Sequence, residues 1–252
     1  MTLQGKIALV TGGSRGIGRA IGERLARDGA LVALHYGSDA KSAAAAVAAI
    51  ERDGGNAFAV RADLASLGQI EQMFETLDGE LTRRTGSPRF DILINNAAIS
   101  VRSVIEQTTE AEFDRVFAIN VKGTFFVTQH AVARLNDGGR VVNISSGVTR
   151  RAYGDQPTYT MTKGAINAFT LSLAKHLSAR RITVNTLAPG ITDTDQNADW
   201  LTAENKQKIA GLTALGRVGA AADIADAVAF LASHDSRWVT NQYIDVSGGL
   251  RL

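Results

Sequence analysis

KIALVTGGSRGIG, Lys6 to Gly18, reads as a strand, a glycine turn and the first turn of a helix. Lys6 to Val10 is a short apolar run of the kind buried on both faces of a parallel sheet. Past the turn, Ile17, Ala20, Ile21 and Leu25 fall at helical spacing, so one face of the helix packs back on the strand. Gly12, Gly16 and Gly18 let the backbone turn tightly, approach a ligand and seat the helix on the strand. The N–H groups around Ser14, Arg15 and Ile17 have no helical acceptor, and with the helix dipole they favour an anion such as a pyrophosphate. Strand, glycine turn and helix in this order form the first unit of a dinucleotide-binding α/β fold.

The alternation continues along the chain. Strands are expected at Ala30 to Tyr36, Asn56 to Ala62, Phe90 to Ile94, Arg140 to Ile144, Arg181 to Leu187 and Tyr243 to Val246. Helices are expected at Asp39 to Arg52, with its alanine run, at Thr158 to Arg180 and at Asp223 to Leu231. Two more open on capping patterns. Ser66 with Gln69 precedes the apolar face Ile70, Met73, Phe74, Leu77 and Leu81, and Thr109 with Glu112 starts a helix that runs to about Leu135. Arg83 to Arg89 reads as a surface insertion. The whole predicts a doubly wound parallel sheet of the Rossmann type, with helices on both faces and right-handed crossovers. Residues 1–252 are expected to be one domain, with the polar stretch at about 195–215 forming a substrate lid anchored by Trp200 and Leu212.

A second stretch, SSGVTRRAYGDQPTYTMTK at Ser145 to Lys163, joins the Arg140 strand to the Thr158 helix. Tyr159 and Lys163 are four apart and share a helix face. A phenol that titrates near ~10 is a poor acid–base catalyst at neutral pH. An ammonium roughly 6 Å away, at an effective dielectric of about 20, favours the phenolate by roughly 2 to 3 kcal/mol, or about two pKa units. Ser146 stands at the carboxyl end of its strand, the edge where open α/β sheets bind ligands, and its hydroxyl can hold a substrate oxygen. Ser145 faces the other way. Asn120, amid Phe117, Ile119 and Val121, is a poor helix former and a poor core residue, which points to a specific hydrogen-bonding role.

Together, TGGSRGIG, Ser146, Tyr159 and Lys163 resemble the short-chain dehydrogenase/reductase family over essentially the whole chain. The resemblance implies a seven-stranded sheet and reversible hydride transfer between a nicotinamide dinucleotide and a small-molecule carbonyl or secondary alcohol. Ser146 would polarise the carbonyl oxygen and Tyr159 would donate the proton. Lys163 would lower the tyrosine pKa and hold the ribose hydroxyls, and Asn120 would bend its helix and hold a water linked to Lys163. Asp63 and Leu64 match the residues that contact adenine. Asn96 and Ala97 belong to Asn95-Asn96-Ala97-Ala98, where the family usually reads NNAG. Pro189, Gly190, Ile191 and Thr194 match its PGxxxT loop, with the Ile191 backbone meeting the nicotinamide amide and Thr194 near the phosphates. The resemblance also implies a homotetramer, and Phe125, Phe126 and Phe169 are more apolar surface than a monomer's helices need. β-Ketoacyl-acyl-carrier-protein reductases are near relatives; Arg180 matches one of their docking positions, whereas Asp137 stands where they carry a basic residue. A dinucleotide-binding sensor is the competing class, and it need not keep the Ser, Tyr, Lys and Asn set.

The second strand ends at Tyr36, with no acid before Asp39 to accept from a ribose 2′-hydroxyl. Arg15 and Ser38 can instead bind a 2′-phosphate, so NADP(H) is expected over NAD(H). His35 faces the opposite side of that strand. Arg102, Arg150 and Arg151 lie in loops at the ligand edge, where they would suit an anionic ketone. A net charge of +2 with dispersed basic residues gives no nucleic-acid footprint. No apolar run approaches the ~20 residues of a membrane helix, and no signal-peptide core precedes the glycine turn. There is no cysteine, and the four histidines have no mutual ligand spacing, so a cytoplasmic, metal-free protein is expected.

Overall fold

The computed structural model describes residues 2–251. Seven parallel strands form one sheet in the order β3-β2-β1-β4-β5-β6-β9. They are β1 (Ile7–Val10), β2 (Leu31–Tyr36), β3 (Asn56–Arg61), β4 (Phe90–Asn95), β5 (Leu135–Ile144), β6 (Thr183–Pro189) and β9 (Tyr243–Val246). A two-stranded parallel pair, β7 (Thr192–Asp193) with β8 (Gly219–Ala220), sits beside it. The main helices are α1 (Gly16–Arg27), α2 (Ala40–Arg52), α3 (Leu67–Thr85), α4 (Glu110–Phe117), α5 (Thr124–Val132), α6 (Pro157–Leu177), α7 (Ala203–Gly211) and α8 (Ala221–Ala232). This is the expected doubly wound sheet, and no described helix is long and apolar enough to cross a membrane.

Each face of the sheet carries its own core. On one, Ile21 and Leu25 of α1 and Ile224, Val228 and Leu231 of α8 cover Val10, Leu34 and Ile94. On the other, Ile70, Phe74 and Leu77 of α3, Val127 of α5 and Leu173 of α6 cover Leu9, Leu93 and Val141. Strands β1 and β4 are largely apolar in succession because both faces are buried. The order reverses between β1 and β4, and that reversal opens a crevice at the carboxyl ends of the strands.

Four boundaries differ from the sequence reading. Arg83 and Arg84 are no insertion: they complete the last turn of α3, pair with Glu80, and the helix stops where Gly86 takes φ 79°. The helix from Thr109 does not run unbroken to Leu135. Ala118–Gly123 form a π-helical turn between α4 and α5, and Leu135 already pairs with Phe90 as the start of β5. The β5 register then shifts before Arg140 pairs with Ile92. The sixth strand begins at Thr183, because Arg181 has φ 54° in the turn that ends α6. The stretch at 195–215 carries a short 3-10 turn (Asp195–Asn197) and α7, and Leu201 between them is buried.

Candidate active site

The crevice is built from residue upward by the glycine turn. Gly12 has φ 64°, and an added Cβ would lie 2.9 Å from the Ala97 Cα. A Cβ on Gly18 would meet the Gly12 carbonyl at 2.1 Å, so α1 can seat here only with glycine at that position. The turn is tied to the end of β4: the Thr11 hydroxyl accepts from the Asn96 and Ala97 N–H groups, and the Asn96 amide donates to the Thr11 carbonyl at 2.9 Å. Ala98 keeps φ below zero, as alanine there requires. Ser14 and Arg15 have no protein acceptor for their N–H groups, and α1 opens without a side-chain cap at Arg15. Thr194 lies over Gly16, so the loop after β6 and the glycine turn face each other.

Tyr36 ends β2 half-buried, with Ser38 exposed beyond it. Asp39 is occupied as the α2 cap, accepting from the Ser42 N–H and hydroxyl at 2.9 and 2.6 Å. Arg15 is exposed and has no ion-pair partner among the described residues. Asp63 accepts from the Ala65 N–H and pairs with Arg115 at 3.0 Å. Leu64 packs against the π-helical turn at Gly123, where a Cβ would meet the Leu64 carbonyl at 2.6 Å. Gly190 is held by a bond from its N–H to the Val246 carbonyl, directly against Ser247. Pro189, Gly190 and Ile191 thus cross the carboxyl ends of β6 and β9.

Ser146 stands two residues past the end of β5, and its hydroxyl, which accepts from the Val148 N–H at 3.4 Å, lies near the Tyr159 phenol at the start of α6. The Lys163 ammonium lies 5.6 Å from the Tyr159 ring centroid and donates to the Ile144 carbonyl at 2.8 Å. Lys163 is fully enclosed and has no acidic partner among the described residues, so burial pushes it down to about 8. Burial likewise pushes Tyr159 up to about 12, against the smaller lowering by the Ser146 hydrogen bond. In the protein alone the net direction for the phenol is upward, because desolvation of the phenolate exceeds the lowering by the Ser146 hydroxyl. Ser145 is buried and bonds the Lys163 carbonyl, a packing role as expected.

Asn120 sits in the π-helical turn. Its side chain accepts from the Ile99 N–H at 2.9 Å, donates to the Ile99 carbonyl at 2.8 Å and reaches Thr162 at 3.2 Å, while Thr162 bonds the Tyr159 carbonyl. One amide therefore fixes the loop after β4 to the turn of α6 that holds Tyr159 and Thr162.

The arginine expectation is corrected. Arg151 bonds the Leu250 carbonyl, Asp245 and Ser247, so it ties the loop to the C-terminal segment. Arg102 pairs with Asp155 at 2.8 Å and stacks on Trp200 at 4.9 Å. Arg150 covers the Tyr243 ring at 3.7 Å. Arg102 and Arg151 are thus engaged elsewhere, and Arg150 alone of the three keeps a guanidinium with no ion-pair partner among the described residues. Tyr243 is a neighbour that sequence reasoning missed: its hydroxyl donates to the Ser146 carbonyl at 3.3 Å. Nothing in YIDV, a strand beyond the site in sequence, signals that contact.

A sequence model of the family described as enoyl-(acyl carrier protein) reductase matches residues 12–251. A short-chain dehydrogenase/reductase of Pestalotiopsis microspora is 39% identical over 259 residues, covering 98% of this chain and 96% of that one. Among solved structures, the promiscuous reductase LugOII, which catalyses keto-reduction at C1 in lugdunomycin biosynthesis, is 49% identical with a TM-score of 0.96, covering 100% of both chains. The angucycline C-6 ketoreductase LanV, solved with bound NADP, is 48% identical with a TM-score of 0.95, covering 99% of this chain and 97% of LanV.

Proposed function

The chain belongs to the short-chain dehydrogenase/reductase family, and from that premise we propose that Ser146, Tyr159, Lys163 and Asn120 are the working groups of an NADP(H)-dependent ketoreductase. It is an oxidoreductase acting on a carbonyl or secondary alcohol, as is its relative LanV, a ketoreductase solved with bound NADP. The observation that carries the assignment is the Ser146 hydroxyl beside the Tyr159 phenol, with Lys163 one turn on, at the edge where the glycine turn leaves N–H groups free.

The residues fit NADP(H). Unpaired N–H groups at Ser14 and Arg15, with Gly12, Gly16, Ile17, Gly18 and Thr194 around them, suit the pyrophosphate. The exposed guanidinium of Arg15, with Tyr36 and Ser38 and no free acid, suits a 2′-phosphate. Asp63 and Leu64 would border adenine; Asn96, Ala97, Pro189, Gly190 and Ile191 would line the nicotinamide half, with Lys163 on its ribose. When bound, the nicotinamide supplies the hydride. Ser146 would hold the substrate oxygen beside the phenol. Tyr159, kept protonated by its burial, would give its proton to that oxygen. Lys163 would carry the positive charge that makes the phenolate left behind tolerable. Asn120 would keep Tyr159 and the loop after β4 in register.

For substrate, we infer a bulky apolar ketone rather than a carrier-bound acyl chain. Val104, Ile105, Leu212 and Leu215 are exposed apolar residues on the segment after β4 and the end of the lid. LanV has been solved with rabelomycin. The Arg180 docking position is spent, its guanidinium bonding Asp137 and the carbonyls of Val132 and Leu135. The proposal extends to one domain over 1–252 whose 195–215 stretch acts as lid, and to a cytoplasmic homotetramer. Exposed Phe125 on α5 and Met161 and Leu171 on α6 support the tetramer, and light scattering that reports a monomer at micromolar concentration would refute it. For the chemistry, NADPH oxidation is followed with a panel of polycyclic and simple ketones. Tyr159→Phe is expected to lower turnover at least ~10²-fold with NADP(H) binding kept. Near wild-type turnover in that variant sinks the assignment.

A further inference from the structure

The His35 imidazole is buried at 2% exposure, and both of its nitrogens are engaged. Nδ1 accepts from the Gly12 N–H at 3.1 Å, and Nε2 lies 3.0 Å from the Ala62 carbonyl, to which only an N–H can bond. The tautomer is thereby fixed as Nε2–H. The backbone of the same residue takes the next donor, since the Gly13 N–H bonds the His35 carbonyl at 2.8 Å. One residue of β2 thus receives the first two N–H groups of the glycine turn and grips the end of β3 one position before Asp63.

We propose that His35 is a positioning residue for the dinucleotide: its Nδ1 holds the Gly12 N–H and with it the pyrophosphate-binding turn, while the Nε2–H bond to Ala62 sets the tautomer that leaves Nδ1 an acceptor. The inference rests on the NADP(H) reading of the crevice. The argument is one of accounting. Gly12 holds φ 64°, and its N–H is turned into the protein, where without an acceptor it would be a buried unpaired donor. A turn deprived of that acceptor would relax toward water, carrying Ser14 and Arg15 with it. Leucine of similar size would fill the space and supply no acceptor. The ring is suited to the task at neutral pH because burial, against the smaller opposing effects of the Ala62 bond and the Asp63 carboxylate, holds it neutral, pushed down to about 4. Asp63 is the charged group that acts on it, and it points on toward Arg115.

The test separates the acceptor from mere packing. His35→Asn keeps an acceptor near the Nδ1 position and loses the Ala62 bond; His35→Gln keeps reach to Ala62 and loses the Gly12 acceptor; His35→Leu loses both. Amide exchange at Gly12 is followed by NMR without cofactor, and NADP⁺ binding by calorimetry, on variants whose melting shows a folded protein. Gly12 exchange is expected to be slow in the wild type and in His35→Asn, and at least about tenfold faster in His35→Gln and His35→Leu. The Kd for NADP⁺ should rise about tenfold or more in those two, and stay within about threefold in His35→Asn, as a lost hydrogen bond to a buried donor predicts. Equal weakening in all three variants, or wild-type affinity in His35→Gln, overturns the proposal. Fast Gly12 exchange in the wild type overturns it without reference to cofactor, and a wild type with protected Gly12 that binds no NADP⁺ overturns the cofactor reading instead.

Discussion

Replacing Lys163 by Met should abolish turnover and yet leave the fold at least as stable near neutral pH. Lys163 is enclosed, without an acidic partner among the described residues, and burial lowers it from 10.5 to about 8. Each unit corresponds to about 1.4 kcal/mol, so holding the ammonium at pH 7 costs the native state about 3 kcal/mol. Met removes that cost. It also removes the bond to the Ile144 carbonyl, and an unpaired buried acceptor costs about 1 to 3 kcal/mol. The net effect at pH 7 is between zero and about 2 kcal/mol of stabilisation. The pH dependence is the sharper signature. Between pH 8 and 10.5 the unfolded wild type binds more protons at this site than the folded form does, so wild-type stability rises with pH through that window. The variant lacks that rise, and its advantage should shrink by about 2 kcal/mol between pH 7 and pH 10. Urea unfolding of both proteins at the two pH values measures the difference, other titrating groups cancelling. An identical stability difference at pH 7 and pH 10 would show that Lys163 is not desolvated as the structure has it.

The cofactor choice is expected to rest on Arg15 and Tyr36: Arg15→Ala and Tyr36→Asp should each shift the kcat/KM ratio toward NAD(H) by about tenfold, the worth of a charge-assisted hydrogen bond. A wild type that favours NAD(H), or no shift in either variant, removes the assignment. Gly18→Ala should cost at least about 2 kcal/mol, because its Cβ would fall 2.1 Å from the Gly12 carbonyl and 2.5 Å from the Asn96 amide; thermal melting within a degree of wild type would contradict the packing.

What could be read in the sequence was local. The glycine turn, the apolar strands and the Thr109–Glu112 capping box declare themselves within a few residues, and all are present. The Ser66 cap is only half as read, since the Gln69 side chain goes to the Asp63 N–H instead of closing the box. The parts that did not read are settled by distant partners. In AINVKG the sequence marks a bend at Asn120 but not its π-helical form, which goes with the Asn120 bond to the Ile99 backbone and with Gly123 clearing Leu64. His35 looked like an ordinary alternating strand residue, and its two partners lie 23 and 27 positions away. Arg151 looked free because Asp245 is 94 positions distant. Spacing can place Tyr159 beside Lys163, but the sign of the phenol's shift depends on how much water the fold removes from it, which no spacing encodes.

That removal of water explains the unusual polarity beneath α6. The helix bearing Tyr159 and Lys163 meets the sheet through a chain of buried polar groups: Asn95 donates to Thr128 and Asn143, Asn143 to Thr170, and Thr186 to Thr170. Leucines at those positions would bury as well, yet apolar contacts tolerate sliding and rotation, whereas paired donors and acceptors tolerate only one register. The chain joins β4, β5 and β6 to α5 and α6. Its cost in desolvation is offset because nearly every member is bonded. A phenol and an ammonium must be held to within a fraction of an ångström of a hydroxyl on β5, and a helix locked to the sheet by polar bonds supplies that precision where grease alone would not.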